Sequence, residues 1–334
     1  MRCKLSVIIP FAGEFVWLER VIDALTRTPV AVARDVVIVD TTNKLDLNRM
    51  LSSQVFRERS SELKDAISIV GAPTMCYPGE ARNLGVSFSE GEFIAFLDVK
   101  THPTQDWIEE GIQKLNEGFD LVLGSTKYCI PRTVVGFISQ FVYGSAAHET
   151  VPGSILKRST FLRIGPFLEN TRVGEDVEWK SRLSSLNLKW TASRVLTYEG
   201  LRDLSLSTFL RKWIVSSAWS ANLGIYKSAN HFGLLVFSVV IVSAAYNWNP
   251  IVGWSSSPYY LPHITKTIAS ALIFGYLISR CFWLPYKRKY ITSPRLLFKF
   301  FLVGPFIFIL LDALRMIAVI FRKRILAGDL NDKL

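Results

Sequence analysis

The sequence contains few cysteines and histidines, and neither residue type is grouped. The four cysteines lie far apart along the 334-residue chain, without a C-x-x-C pair, at Cys3, Cys76, Cys129 and Cys281. The four histidines are equally dispersed, at His102, His148, His231 and His263. This pattern supports neither a disulfide framework nor a zinc site.

A G-x-G-x-x-G motif is also missing after the first predicted strand, which argues against a dinucleotide-binding enzyme. The sequence has no internal repeat and no low-complexity tract. The apolar run near the N-terminus, Leu5–Pro10, is too short for a signal peptide. We therefore expect the polar part of the chain to remain in the cytoplasm.

Acidic residues are scarce only toward the C-terminus. Residues 1–199 carry a formal net charge of −1, whereas residues 200–334 carry +12 and also contain the long apolar runs. Cations that flank apolar runs are typical of cytoplasmic loops and of contacts with anionic lipids. A nucleic-acid binder instead places its basic residues on a polar domain. The pattern thus predicts membrane lipids, and no nucleic acid, as partners.

Short apolar runs alternate with helix-like stretches in the first part of the chain, which predicts an α/β fold with a mostly parallel sheet and flanking helices. Strands are predicted at Leu5–Pro10, Val36–Asp40, Ala66–Val70, Glu92–Leu97, Leu121–Leu123, Val151–Lys157, Lys189–Ser193 and Val195–Tyr198. Helices are predicted at Phe15–Leu25, Glu80–Phe88 and Glu175–Leu183. We expect these elements to form one domain, residues 1–203.

The remaining sequence predicts an amphipathic interface helix at residues 204–230 and a membrane region at residues 231–334. The membrane region contains two or three hydrophobic helices, at Phe232–Trp248, Ile264–Leu284 and Leu296–Phe321. Charges and Pro305 interrupt the third segment, which favours an interfacial or re-entrant helix. The loop at residues 249–263 lacks Lys and Arg, whereas the loop at residues 285–295 has four. The positive-inside rule then predicts a multi-pass protein of the cytoplasmic or inner membrane, with its first domain in the cytoplasm.

Charged motifs lie at the ends of three predicted elements. The apolar run Phe93–Leu97 leads directly into Asp98 and Lys100, an Ala-Arg-Asn segment at residues 81–83 precedes it, and Glu175-Asp176 begins a predicted helix. Open α/β sheets bind ligands at the carboxyl ends of their strands. We therefore expect Asp98 to lie at the edge of a site.

The order and spacing of these motifs from about Lys4 to Gly200 resemble the inverting nucleotide-sugar glycosyltransferases of family 2, in particular membrane-anchored, bacterial-type members. The resemblance implies a GT-A type fold followed by C-terminal transmembrane or interfacial helices. It also implies a nucleotide-sugar site. Its residues would be Pro10, Phe11 and Glu14 around the base and ribose, Asp40 on the uracil or ribose, Arg82 and Lys100 at the diphosphate, and Asp98 at the ribose and metal.

Lys100 departs from the family pattern, because it replaces the second carboxylate of the D-x-D motif, which is normally a metal ligand. Its ammonium either neutralises the diphosphate in place of Mg²⁺ or Mn²⁺, or marks a site that has lost its ion and its activity. Asp98 alone can still hold such an ion weakly. Simpler roles also exist: Asp40 capping a turn, Arg82 pairing with Glu80 or Glu90, and Lys100 exposed on a loop.

On the acceptor side, the resemblance implies that Asp176 is the catalytic base beside Glu175, with helix N-capping as the alternative role. Trp213 ends a partial match to the Q/R-x-x-R-W motif of polymerising members. The implied function is inverting transfer of a sugar from a nucleoside diphosphate sugar to a lipid-linked or cell-surface glycan acceptor, at the cytoplasmic membrane face. The first alternative is a non-catalytic homologue that binds nucleotide sugar or serves as a scaffold for a partner transferase. The second is a nucleotidyltransferase or dehydrogenase with a similar sheet.

Overall fold

A computed structural model describes residues 4–13, 15–28, 33–42, 67–73, 76–224, 233–240, 262–287 and 294–331. The strands are β1 Lys4–Phe11, β2 Ala33–Asp40, β3 Ile67–Gly71, β4 Phe93–Phe96, β5 Thr101–His102, β6 Leu121–Tyr128, β7 His148–Lys157 and β8 Trp190–Tyr198.

The helices, in chain order, are α1 Phe15–Thr26, α2 Pro78–Ser87, α3 Trp107–Asn116, α4 Val134–Tyr143, α5 Arg158–Ile164, α6 Glu175–Ser181, α7 Leu206–Asn222, α8 at residues 233–240, α9 Pro262–Ile278, α10 Leu284–Lys287, α11 Pro294–Leu302, α12 Gly304–Ile320 and α13 Arg322–Asn331. A short 3-10 helix at Arg182–Ser184 follows α6, and a π-helix at Ser279–Trp283 joins α9 to α10.

The chain divides into two compact units. The first comprises Met1–Arg132, Ala147–Ser205 and Asp329–Leu334, and the second comprises Thr133–Ala146 and Leu206–Gly328. The second unit includes α4, although this helix precedes residue 204 in the sequence.

The first unit is built on an eight-stranded sheet in the order β3-β2-β1-β4-β7-β6-β8-β5. Strands β1 to β4 pair in parallel, as the sequence predicts, and β7 then pairs antiparallel with both β4 and β6. The α/β fold with a mostly parallel sheet is therefore confirmed.

Helices cover both faces of this sheet. Successive side chains of a strand point to opposite faces, so each strand contributes to the packing on both sides. In β1, Leu5, Val7 and Ile9 join one buried cluster with α1 and α3, whereas Ile8 joins a second cluster with α2. A sheet buried on both faces accounts for the continuous apolar runs in β1, β2 and β4.

The two strands predicted at residues 189–198 form one strand, β8. Its pairing with β6 shifts register after Leu123 and Ala192 and resumes at Ser125 and Val195. The sequence break at Arg194 therefore corresponds to a β-bulge, which interrupts the side-chain alternation without ending the strand.

The second unit contains α4 and most of the described C-terminal helices. The Phe141 ring of α4 lies 4.5 Å from the Phe300 ring and 5.8 Å from the Phe308 ring. The Asp312 carboxylate of α12 accepts hydrogen bonds from Tyr276 at 2.6 Å and from Arg280 at 2.8 Å. Aromatic and ionic contacts thus hold these helices together.

Within the described ranges, no single helix has the length and apolarity needed to cross a membrane. Helices α11 and α12 meet these requirements together, but they join at a 60° bend. The bend falls at Val303, two residues before Pro305. The third hydrophobic segment, Leu296–Phe321, is therefore two helices, and a proline next to the break is consistent with this bend. The prediction for Phe232–Trp248 lies largely outside the described residues, and the membrane helices remain a prediction.

Candidate active site

Helix α2 lies unusually close to the sheet, which fixes the position of Arg82. A Cβ atom added to Gly85 would lie 2.4 Å from Ile8 Cγ2 in β1, so only glycine permits this approach. At the start of the helix, Glu80 accepts a hydrogen bond from the Tyr77 amide at 2.7 Å. Arg82 is therefore held on a helix that is fixed at its start and at its contact with the sheet.

The guanidinium group of Arg82 joins two carboxylates from distant parts of the sequence. Its Nη2 donates to Asp98 Oδ1 and its Nη1 to Glu175 Oε1, both at 3.0 Å, and Arg82 is only 2% exposed. Asp98 follows β4 by two residues, and Glu175 is the first residue of α6. Arg82 thus brings two of the predicted motifs into one site.

Burial controls the ionisation of this cluster. Burial raises the pKa of Glu175 to about 7, against the opposing effect of Arg82 and with a further increase from Asp176. Burial alone would lower the pKa of Arg82, but the Asp98 and Glu175 carboxylates outweigh it and raise the pKa. The cluster therefore combines a permanently charged guanidinium with a carboxyl group that titrates near neutral pH.

The segment before α6 is anchored on the same helix α2. Asn83 donates to the Phe167 carbonyl at 3.0 Å and accepts from the Phe167 amide at 2.9 Å. The Trp179 ring stacks on the Phe167 ring at 4.9 Å, and its indole N–H donates to the Gly165 carbonyl at 2.9 Å. These contacts fix the start of α6 relative to Arg82.

Asp176 is the second residue of α6 and is half-buried. Its Oδ1 accepts a hydrogen bond from the Val177 amide at 2.8 Å. Its charge contributes to the raised pKa values of both Arg82 and Glu175, so it lies within electrostatic range of the cluster. The structure therefore brings Asp176, Glu175, Asp98 and Arg82 together.

The other predicted nucleotide residues of the first unit lie at the ends of β1 and β2 or beyond β4. Asp40 is buried, and its Oδ1 accepts from the amide of Thr42 at 2.9 Å and from its hydroxyl at 2.7 Å. Pro10 is half-buried, and Phe11 is buried in the core. The Lys100 ammonium lies 5.4 Å from the centre of the Trp17 ring in α1.

Glu14 is outside the described residues. Trp213 belongs to the second unit, where its indole N–H donates to the Leu311 carbonyl at 2.9 Å and its ring lies 4.9 Å from the Arg315 guanidinium.

The described side chains fit a divalent cation poorly. Magnesium and manganese prefer oxygen ligands, but Asp98 Oδ1 is bonded to Arg82 and the second position of the motif is Lys100. In the part of the chain that the structure describes, no three His, Cys, Asp or Glu side chains are grouped to hold a metal.

Sequence reasoning did not identify the supporting roles of Asn83, Trp179 and Arg158. Asn83 adjoins Arg82 in the same motif, which is the one sequence signal for its role. Arg158, in the first turn of α5, donates to the Gly91 carbonyl at 2.7 Å, the Val86 carbonyl at 3.2 Å and the Ser89 hydroxyl at 2.8 Å. One guanidinium thereby holds the connection between α2 and β4, and no sequence pattern indicated this.

Residues 6–168 match the model of the family described as Glycosyl transferase family 2. This part of the chain is accordingly similar to the domains of glycosyltransferase family 2. It contains the carboxyl ends of β1, β2 and β4 and the Ala-Arg-Asn segment, whereas Glu175 and Asp176 follow the matched region.

The chain is also similar to individual glycosyltransferases. It is 27% identical over 199 residues to glycosyltransferase AglE of Haloferax volcanii, a match that covers 56% of this chain and 63% of the relative. The chain thus spans less than two thirds of the length of that curated relative.

Two solved structures show more distant similarity. The mannosyltransferase PcManGT from Pyrobaculum calidifontis, in complex with GDP-Man and Mn²⁺, aligns with a TM-score of 0.51 at 13% identity, covering 96% of this chain and 87% of that chain. This likeness shows the GT-A type fold alone. S. aureus TarS 1–349 in complex with UDP-GlcNAc aligns with a TM-score of 0.44 at 15% identity, covering 83% and 81% of the two chains.

Proposed function

We propose that this protein transfers a sugar from a nucleoside diphosphate sugar to an acceptor hydroxyl, with inversion at the anomeric carbon. The observation that carries the proposal is the buried cluster of Arg82, Asp98 and Glu175. In this cluster the carboxyl end of β4 lies beside the start of α6, which carries Asp176. Open α/β sheets bind their ligands at the carboxyl ends of the strands. The similarity to family 2 domains supports the same chemistry.

In this proposal Asp176 is the general base. It takes the proton of the acceptor hydroxyl while the acceptor oxygen forms a bond to the anomeric carbon. The bond from that carbon to the β-phosphate oxygen breaks on the opposite face, and the nucleoside diphosphate leaves. Asp176 suits this role because it is half-buried at the start of α6, and a carboxylate can accept the proton of a hydroxyl group.

The remaining residues hold the donor. We assign Asp40 and Asp98, with Pro10 and Glu14, to the nucleoside, and Lys100 to the diphosphate, whereas the Phe11 side chain packs in the core. Arg82 is buried and donates a hydrogen bond to each of Asp98 and Glu175, so we propose that it orients these carboxylates as well as adding positive charge near the diphosphate. We assign Glu175 to the acceptor side, and the assignment of Trp213 stays a prediction from its sequence motif.

We further propose that transfer occurs at the cytoplasmic face of a membrane, to a lipid-linked or cell-surface glycan acceptor. Two observations support this proposal. The net charge of +12 belongs to the apolar C-terminal part of the chain. Helices α11 and α12 together have the length and composition of a broken span or a re-entrant segment.

The test is a donor screen with purified protein in detergent. UDP-, GDP- and dTDP-sugars are assayed for binding and for release of nucleoside diphosphate, with and without Mn²⁺. We expect one donor class to be hydrolysed slowly or transferred, and Asp176→Asn to abolish turnover while donor affinity stays within a few fold, because the amide cannot accept the acceptor proton.

Glu178→Gln is the matched control, since it changes an acid to an amide in the same helix, where Glu178 pairs with Arg182. Full turnover in Asp176→Asn would remove Asp176 from the mechanism. Donor binding without turnover, in the wild type and with every donor, would instead support a non-catalytic homologue or a scaffold for a partner transferase. In such a homologue, Lys100 would mark the loss of the catalytic ion.

A further inference from the structure

A polar pocket lies within the first unit, and none of the residues assigned to the donor lines it. Its volume is about 420 Å³, within the size range of ligand sites. It lies between α1, the residues around β5 and the segment after β8. Its lining residues are Arg20, Asp23, Ala24, Arg27, His102, Pro103, Gln105, Glu199 and Arg202.

The arginines of this pocket converge on shared carboxylates. Arg20 lies 3.3 Å and Arg202 lies 3.6 Å from Glu199, whereas Arg27 lies 2.8 Å from Asp23 one helical turn away. Three guanidinium groups therefore face two carboxylates, which leaves an excess of one positive charge.

The acidic side chains of the pocket are less exposed to solvent than the basic ones. The Asp23 and Glu199 side chains are each 21% exposed, whereas Arg20, Arg27 and Arg202 are 46%, 59% and 52% exposed. The carboxylates thus form the floor and the arginines form the rim. A ligand that enters from solvent meets the guanidinium groups first, so the field at the mouth favours an anion.

His102 contributes a polar group without adding charge at neutral pH. Burial lowers the pKa of His102, and the neighbouring Arg20 and Arg202 lower it further while Glu199 opposes them. Its Nε2 atom is buried, lies 4.0 Å from Glu199 and has no hydrogen-bond partner among the described residues. The pocket therefore contains a ring nitrogen whose hydrogen-bonding capacity is unused.

We propose that this pocket binds a phosphate or diphosphate group, with Arg20, Arg27 and Arg202 as its ligands. Guanidinium groups present several N–H donors in a planar fork, which matches the oxygens of a phosphate. Glu199 holds Arg20 and Arg202 side by side before the anion arrives. The site shares no lining residue with the proposed donor site, so it does not depend on the proposed reaction.

The experiment measures anion binding to the full-length protein in detergent by calorimetry. Inorganic pyrophosphate is the soluble probe, dihexanoyl phosphatidic acid represents a lipid headgroup, and dihexanoyl phosphatidylcholine is the zwitterionic control. We expect Arg20→Gln with Arg202→Gln to weaken binding of the anionic probe by about tenfold or more, because each loses a charge-assisted contact.

The control variant changes Arg132 and Arg163 to Gln, which removes the same charge from exposed positions outside the pocket. Binding of pyrophosphate alone would identify a soluble ligand, and binding of phosphatidic acid alone would identify a lipid headgroup. Three results would overturn the proposal: no binding of either anion, equal weakening in the control variant, or binding that Asp98→Ala abolishes and the pocket variant leaves intact.

Discussion

At the scale of single residues, the protonation of Glu175 links burial to stability. Its pKa is raised by burial to about 7 in the folded chain, above the ordinary value of 4.5. Between these values the folded protein binds a proton that the unfolded chain does not bind. The stabilisation is complete below the unfolded pKa and is lost as pH rises through the folded pKa.

We therefore predict that the free energy of unfolding decreases from about pH 5 to about pH 8, by at most about 3 kcal/mol from this residue. Glu175→Gln should remove that part of the decrease, because the amide does not titrate. Urea unfolding followed by tryptophan fluorescence at several pH values measures both slopes, with Glu178→Gln as control. Identical slopes in the wild type and Glu175→Gln would show that Glu175 does not titrate in this range.

In the proposed function, Lys100 neutralises part of the diphosphate charge. If its ammonium takes part of the role of a metal, turnover should survive EDTA, and Lys100→Ala should lose activity that Mn²⁺ does not restore. Lys100→Asp should instead become dependent on Mn²⁺, since a second carboxylate supplies an oxygen ligand. An Mn²⁺ titration of the three proteins tests this prediction. Wild-type turnover that disappears in EDTA and returns with Mn²⁺ would contradict it.

The sequence predicted which charged residues belong to the candidate site, but it did not predict which of them contact each other. Asp98 and Glu175 stand out because each lies at the end of a predicted element. The contact of Arg82 with Glu175 joins residues 93 positions apart, and it depends on how α6 is placed by Asn83, Phe167 and Trp179. Such tertiary contacts leave no periodic signal in the sequence.

At the scale of elements, the contact between α2 and β1 sets the geometry of the site. An alanine at Gly85 would gain roughly 1 kcal/mol of helix propensity, but its Cβ would overlap the Ile8 side chain at 2.4 Å. We predict that Gly85→Ala lowers the free energy of unfolding by about 1–3 kcal/mol and reduces turnover by displacing Arg82.

A double-mutant cycle with Ile8→Ala isolates this contact, because Ile8→Ala removes the methyl group that the new Cβ would meet. Gly85→Ala should cost less stability in that background. Gly275→Ala is a control, since a Cβ there meets nothing within 4 Å. Purely additive free energies would show that the helix accommodates the methyl group without displacement.

The sequence predicted the strands that are marked by runs of buried apolar residues. It did not predict the features that depend on hydrogen bonding to a neighbouring strand. The apolar runs of β1, β2 and β4 are buried on both faces, so their sequences are continuous and easily read. The two-residue strand β5 has no such pattern, and only its pairing with β8 makes it a strand. The bulge in β8 likewise depends on its neighbour β6.

At the scale of the whole molecule, the uneven charge predicts where the protein resides. We predict that the full-length chain sediments with membranes and requires detergent for extraction. The positive-inside rule further predicts that the loop at residues 249–263 faces away from the cytoplasm. In a cysteine-free variant, Ser256→Cys should react with an impermeant maleimide in intact cells, whereas Ser185→Cys should react only after lysis. Equal labelling of both positions, or recovery of the chain in the soluble fraction, would contradict the assignment.

The position of β4 in the sheet has a consequence for the synthesis of the protein. One edge of β4 pairs with β1, and the other edge pairs with residues Ile155 to Lys157 of β7, which lie about sixty positions later in the chain. While a ribosome makes the intervening residues, β4 is an apolar strand with an open edge, the kind of surface that aggregates or recruits chaperones. Translation that pauses before residue 157 therefore leaves the nascent sheet unprotected at its centre.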